Sequence, residues 1–389
     1  MMFTKEEYQN RFQRIKDELK NYEHDAVIIS NEDNIYWLSG FFGFATFRPL
    51  FLVVHKDIDE PFFITPKLEY EAALESTWIS DISFYIEWKE KGAFLDIISL
   101  LKSKIEEKKL SFSKIFVETA TMPAYLYNSL KQNFKGIEMD NDLILRKIRM
   151  IKSPEEIMIM RKVAQVVIAE VEAATKIARI GVEEWQISMA AQNAGYEKAA
   201  ELLQNYPLMT PLFAGVQMLQ SGSRSHIVHG RATTKKIQEN DVIMMCFCEY
   251  AQFAGYRMGF TRQLIAGIPT PEFTDVFNIA KQSHDAALTQ IKPGVTGAEL
   301  DIIARKVIVE AGYGEYITHR TGRGVGASYV EGPEVKEGDA IALQPGMIIT
   351  VEPGIYVPGV GGARIEDTVL ITENGYEILT KFPDELKRI

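Results

Sequence analysis

Residues 341–370 read IALQPGMIITVEPGIYVPGVGGARIEDTVL. Two apolar runs in this stretch, Met347–Val351 and Thr368–Leu370 continuing to Thr372, predict buried strands. Each is bordered by a glutamate in otherwise apolar surroundings. Glu352 stands before Pro353-Gly354, and Glu366 lies in Arg364-Ile365-Glu366-Asp367. A carboxylate taken out of water needs a cation, a metal or hydrogen-bond donors. Two of them fourteen positions apart, with glycines between that let the backbone double back, predict a site rather than a solvated sheet surface.

Length and charge bound the answer. At 389 residues the chain predicts two domains. A net charge of −10 argues against nucleic acid or an anionic membrane as partner. No apolar run is long enough to span a bilayer, and the charged, amphipathic start MMFTKEEYQNRFQRIKDELK has no apolar leader segment. The two cysteines, Cys246 and Cys248, are too close on one strand for a framework disulfide. A cytoplasmic protein is expected.

From the start, Thr4-Lys5-Glu6-Glu7 is a capping box, and Tyr8, Phe12, Ile15 and Leu19 make one apolar helix face behind it. Strands are expected at Ala26–Ser30, Pro49–His55, Phe62–Thr65 and Ile115–Glu118, with a helix over Phe94–Glu107. Such alternation predicts an α/β domain over 1–148. Ser153-Pro154-Glu155-Glu156 opens the second domain, 149–389, with Ser as N-cap, Pro at the first helical position and Glu at the third. Helices are expected at roughly 155–179, 183–205, 271–291 and 297–311, with strand-forming segments between and after them. Gly40–Pro49 (GFFGFATFRP) fits no period. It reads equally as a packed loop or as an aromatic-and-Arg anchor offered to another domain or subunit.

The spacings in Gly346–Tyr356 (GMxxTxEPGxY) and Gly362–Thr372 (GxRIEDxVLxT) resemble the C-terminal signature of the "pita-bread" superfamily of methionine aminopeptidase, aminopeptidase P, prolidase and creatinase. The phrase RMIKSPEEI is similar to the entry into that superfamily's catalytic domain. The resemblance implies an α/β N-terminal domain followed by an α+β pita-bread catalytic domain, and a homodimer. It also implies that a Phe-Arg-Pro stretch, here Phe47 and Arg48, reaches into the partner subunit's site.

In the peptidases of the superfamily, two aspartates, a histidine and two glutamates hold paired divalent metals. The first Asp position, seven residues before Gly255-Tyr256, is Cys248 here, with Glu249 beside it. The second, three residues after the Tyr, is Gly259, and the His position in Thr321–Gly326 holds Arg323. Val330 stands where the superfamily has another His. Only Glu352 and Glu366 remain. Crowded carboxylates need dications. Their loss together with the gain of a permanent cation predicts Arg323 bridging Glu352 and Glu366, with no metal and no cofactor. The thiols of Cys246 and Cys248 suit zinc, but such a pair more often fills a core.

His229 ends Ser221–His229, a stretch similar to the superfamily's SGxNxxxxH, whose last His faces the scissile bond. Imidazole moves protons near neutral pH. His24, His55 and His284 read as solvated, and His226 and His319 as structural. This retained His with lost metal ligands resembles creatinase and ectoine hydrolase in kind. The expectation is therefore a metal-independent hydrolase of a C–N bond in a small amide, amidine or guanidino substrate. His229, Glu352 and Glu366 would be catalytic, and Phe47, Arg48, Arg323, Tyr256 and Thr261 would bind substrate. The alternatives are a metal-dependent Xaa-Pro dipeptidase and an inactive peptide-binding relative.

Overall fold

The computed structural model describes residues 2–43, 48–142, 144–204, 210, 218–248 and 252–389. Contacts divide the chain into two units, Met1–Ile148 and Arg149–Ile389.

The first unit is built on one mixed six-stranded sheet. Its strands are β1 (Ala26–Ile29), β2 (Phe51–His55), β3 (Phe62–Pro66), β4 (Ile82–Tyr85), β5 (Lys114–Val117) and β6 (Glu138–Asn141), in the order β4-β3-β2-β1-β5-β6. The β1–β2 and β2–β3 pairs are antiparallel, and the others are parallel. Helix Lys5–Asn21 buries Tyr8, Phe12, Ile15 and Leu19 as its spacing predicts, with Thr4 capping the Glu7 amide. The helix expected from Phe94 starts at Ile97, because Asp96 accepts from the amides of Ile98 and Ser99 and so fixes the N-cap there.

The second unit repeats one plan twice: a helix pair followed by a sheet. Helices Pro154–Ile177 and Glu184–Leu202 precede a four-stranded sheet. It contains β7 (Met218–Ser221), β8 (Val242–Cys246) and β11 (Thr261–Ile265), with a small hairpin of β9 (Gln252–Phe253) and β10 (Tyr256–Arg257) set between. Helices Pro271–Leu288 and Gly297–Glu310 precede a five-stranded antiparallel sheet of order β13-β12-β14-β17-β18. Here β12 is Gly322–Gly324, β13 Glu331–Val335, β14 Ile348–Val351, β17 Asp367–Thr372 and β18 Gly375–Ile378. The hairpin β15 (Gly354–Val357) and β16 (Gly361–Arg364) folds out between β14 and β17, and β19 (Lys387–Arg388) closes the first sheet beside β11. Helices Pro154–Ile177 and Gly297–Glu310 open on the capping boxes of Ser153 with Glu156 and Thr296 with Glu299.

A backbone bridge joins the two sheets. The Thr261 amide donates to the Glu366 carbonyl at 3.3 Å, and the Glu366 amide donates back to the Thr261 carbonyl at 3.4 Å.

Three histidines depart from the sequence reading. His24, His55 and His284 are all buried. His24 lies flat on Phe116, its ring centroid 3.6 Å away. His55 meets the Ser111 carbonyl at 3.0 Å. His284 lies 3.3 Å from Asp367. Helix and strand periodicity gave these polar residues a face, but the sequence did not reveal the distant partners that make their burial tolerable.

Candidate functional site

The antiparallel ladder β14–β17 sets Val351 opposite Asp367, so Glu352 leaves one strand just where Glu366 enters the other. In the neighbouring hairpin Arg364 pairs with Gly354, which brings its side chain to the same place. Arg323 arrives from β12, wedged between β13 and β14. Glycine on both sides of it makes this possible, since a Cβ at Gly322 would overlap the Thr350 carbonyl and one at Gly324 the Gly332 carbonyl.

The result is a closed polar cluster. Glu366 is 0 % exposed and Glu352 5 %. Arg323 Nη1 donates to Glu352 Oε1 and lies 3.9 Å from Glu366 Oε1. Its Nε donates to the Tyr329 carbonyl at 3.2 Å, and its guanidinium lies 4.7 Å from the Tyr329 ring centre. Arg364 Nη1 is 3.9 Å from Glu352 and its Nε 4.0 Å from Glu366, and Nε donates to Thr261 Oγ1 at 3.1 Å. The Nη2 of Arg364 is buried with no hydrogen-bond partner among the described residues. Thr261 Oγ1 donates to Glu366 Oε2 at 2.6 Å, and Thr350 Oγ1 to Glu352 Oε1 at 2.9 Å.

Burial favours the neutral acid at both glutamates, and their neighbours decide the outcome. At Glu352 the Arg323 and Arg364 guanidiniums overcome burial and hold the carboxyl below its usual range. At Glu366 burial wins, with Cys248 and Glu352 adding to it, and the carboxyl is pushed well up. Burial lowers His319 to about 4, so it is neutral. The Arg320 carbonyl, 2.7 Å from its Nδ1, fixes the proton there, and Nε2 accepts from the Tyr356 hydroxyl at 2.8 Å.

Of the residues singled out in the sequence, Glu352, Glu366, Arg323 and Thr261 come together. His229 is exposed on the loop after β7 and near enough to His319 to disfavour its protonation. Tyr256 is buried and donates its hydroxyl to Glu156 at 2.7 Å. Arg48 pairs with Glu87 at 2.8 Å in the first unit. Phe47 and Glu249 lie outside the described residues.

Sequence reasoning counted Arg364 among candidate cations for a carboxylate ligand but did not place it in this cluster, although it stands two positions before Glu366. It also missed the second thiol contact. Cys248 Sγ lies 3.2 Å and 3.5 Å from the Glu366 oxygens and 2.8 Å from Cys246 Sγ.

Residues 158–373 match the model of metallopeptidase family M24, and residues 11–151 that of the creatinase/prolidase N-terminal domain. The Xaa-Pro dipeptidase of Pyrococcus horikoshii is 33% identical over 362 residues, 93% of this chain and 94% of that protein. The Xaa-Pro dipeptidase of Pyrococcus furiosus is 33% identical over 372 residues, 93% and 95% of the two chains. Among solved structures, an Xaa-Pro dipeptidase from Bacillus anthracis superposes with a TM-score of 0.83 at 28% identity, over 98% of this chain and 100% of that one. These relatives overturn the expectation of a metal-independent, creatinase-like C–N hydrolase. That expectation gave missing ligands more weight than the likeness of the whole chain.

Proposed function

The chain belongs to metallopeptidase family M24, and from that premise we propose that it hydrolyses the peptide bond of Xaa-Pro dipeptides. The observation that carries this reading is likeness along nearly the full length, in sequence and in fold, to proteins named Xaa-Pro dipeptidase. A chain that had kept only the architecture would not need its carboxylates and cations gathered in one buried cluster.

The family's name implies a divalent metal. The residues do not fit the pair of hard ions that five carboxylate and imidazole ligands would hold. A side chain at Gly259 would overlap Glu366 Oε1, and Arg323 lies on the Glu352 oxygen such an ion would need.

An Xaa-Pro bond ends in a tertiary amide nitrogen, a poor leaving group until it is protonated. We assign that proton to His229, which is exposed and acts electrostatically on His319. The proline carboxylate supplies an anion for the unpartnered Nη2 of Arg364. Arg323 and Thr350 hold Glu352 in one orientation while substrate binds. Only peptides short enough to set a free carboxylate on Arg364 would then be cut.

The test is release of proline from Ala-Pro and Gly-Pro by the purified full chain, alone and with manganese, cobalt or zinc. Ala-Ala and Gly-Pro-amide serve as controls. Cleavage of the two free dipeptides over both controls is expected. No proline release under any of these conditions would overturn the assignment.

A further inference from the structure

We infer that Cys246, Cys248 and Glu366 form a binding site for one soft, thiophilic divalent cation, zinc or cadmium in class. The ligand atoms of these three residues all lie within 4.8 Å of one another, and all three residues are buried. The set uses two of the ligand positions that the sequence resemblance implies, Glu366 and the first Asp position now held by Cys248, adds Cys246, and so puts two sulfurs in place of hard oxygens. Thiolates select zinc-like ions, whereas carboxylate-only sites suit magnesium or manganese.

The geometry requires little movement. Zinc bonds of about 2.3 Å to sulfur and about 2.1 Å to oxygen, at tetrahedral angles, put sulfur and oxygen about 3.6 Å apart. Cys248 Sγ already stands 3.2 Å and 3.5 Å from the Glu366 oxygens. Two sulfurs on one zinc are about 3.8 Å apart, so the thiols, now at 2.8 Å, part by about 1 Å. Cys246 ends β8 opposite Thr261, and Cys248 lies just past the strand end. A change of side-chain torsion achieves this without moving the sheet.

Charge also balances. With the ion bound, Arg323, Arg364 and a dication face Glu352, a Glu366 ionised as ligand and two thiolates, four positive charges against four negative. A dication bound by the glutamates alone would face two fixed guanidiniums with nothing to offset it. Three protein ligands leave a fourth position open, the pattern of catalytic rather than structural zinc. Tyr329 packs against the small apolar cluster that Cys246 and Cys248 form with Met218.

The inference stands apart from the dipeptidase reading, and its test does not use activity. The full chain, metal-stripped and kept reduced with a phosphine, is titrated with cadmium while the ultraviolet thiolate-to-cadmium charge-transfer band is recorded. One ion per chain with a saturating band is expected, with the ligands' protons released into weak buffer. Cys246→Ser and Cys248→Ser should each lose most of the band and about 100-fold in affinity, while Glu352→Gln keeps the band. Circular dichroism of each variant separates lost ligation from lost folding. No band in the folded wild type, or a band untouched by both serine variants, would overturn the site. So would a Cys246–Cys248 disulfide that persists in the phosphine. A chain that binds cadmium through both sulfurs but cleaves no dipeptide keeps this inference and loses the proposed function.

Discussion

Arg323 donates from Nη1 to the carboxylate of Glu352, and both side chains are almost wholly removed from water. In a dry environment each charge is tolerable because of the other, so removing one partner strands the second. Arg323→Met should therefore destabilise the protein by about 3–5 kcal/mol. Urea unfolding followed by tryptophan fluorescence measures it. An unchanged midpoint would mean that Arg364 alone supports Glu352.

Gly259 should tolerate no side chain. A Cβ there would overlap Glu366 Oε1 and approach Thr350 Cγ2 to 2.8 Å. Neither neighbour can yield freely, since Thr261 and Thr350 are both committed to the cluster. Gly259→Ala should cost about 1–3 kcal/mol through overpacking, and Gly259→Asp more. A pair of urea curves decides it, and wild-type stability in the alanine variant would contradict the packing described.

His319 gives acid sensitivity with a definite sign. Burial first, and nearby Arg364 and His229, depress it from 6.5 to about 4 in the folded protein, partly offset by Glu352. Protonation thus favours the unfolded chain. Its contribution is complete above about pH 6.5 and is lost as pH falls towards 4, by about 3 kcal/mol in all. His319→Gln should flatten the stability-versus-pH curve in that window. A variant curve parallel to wild type would remove His319 as its source.

Glu170 pushes the other way. It sits in helix Pro154–Ile177 with both carboxyl oxygens buried and without a hydrogen-bond partner among the described residues, against Gly195 of the neighbouring helix. Burial alone raises it well above its usual 4.5. The folded protein therefore holds a proton that the unfolded chain gives up, and stability declines as pH rises from about 4.5 through the folded value. Glu170→Leu should raise the melting midpoint, and by more at pH 8 than at pH 5. An equal gain at both would show that the acid is not neutral in the fold.

His229 is the contrasting case, because its side chain is exposed. His229→Ala should leave the unfolding midpoint unchanged and lower kcat for Ala-Pro about 100- to 10,000-fold, the usual range for losing a proton carrier. Full turnover in that variant would end its assignment as the proton carrier.

Much of the fold was legible because local rules and tertiary outcome agree. The capping boxes at Ser153 and Thr296 start helices as written, and the runs around Glu352 and Glu366 are buried strands. The inward turn of Arg323 was also readable, since a guanidinium among glycines beside two buried carboxylates has few other uses. What the chain did not reveal was pairing across distance. The contact of Cys248 with Glu366 spans 118 positions, and that of His284 with Asp367 depends on how a helix lies on a sheet. The functional expectation failed for a related reason. Counting ligands at single positions ignores what a whole chain has in common with its relatives.

The backbone exchange between Thr261 and Glu366 is the seam of the two sheets, and the Glu366 side chain is also the centre of the cluster. At this seam main-chain atoms, which every residue possesses, work beside the Arg262–Asp367 pair, while the cluster's chemistry is held by side chains, which substitution can replace. Ligands can therefore be exchanged one at a time around this pin without the halves losing register. An architecture fastened in this way can change its preferred ion in the course of evolution while its outline stays put.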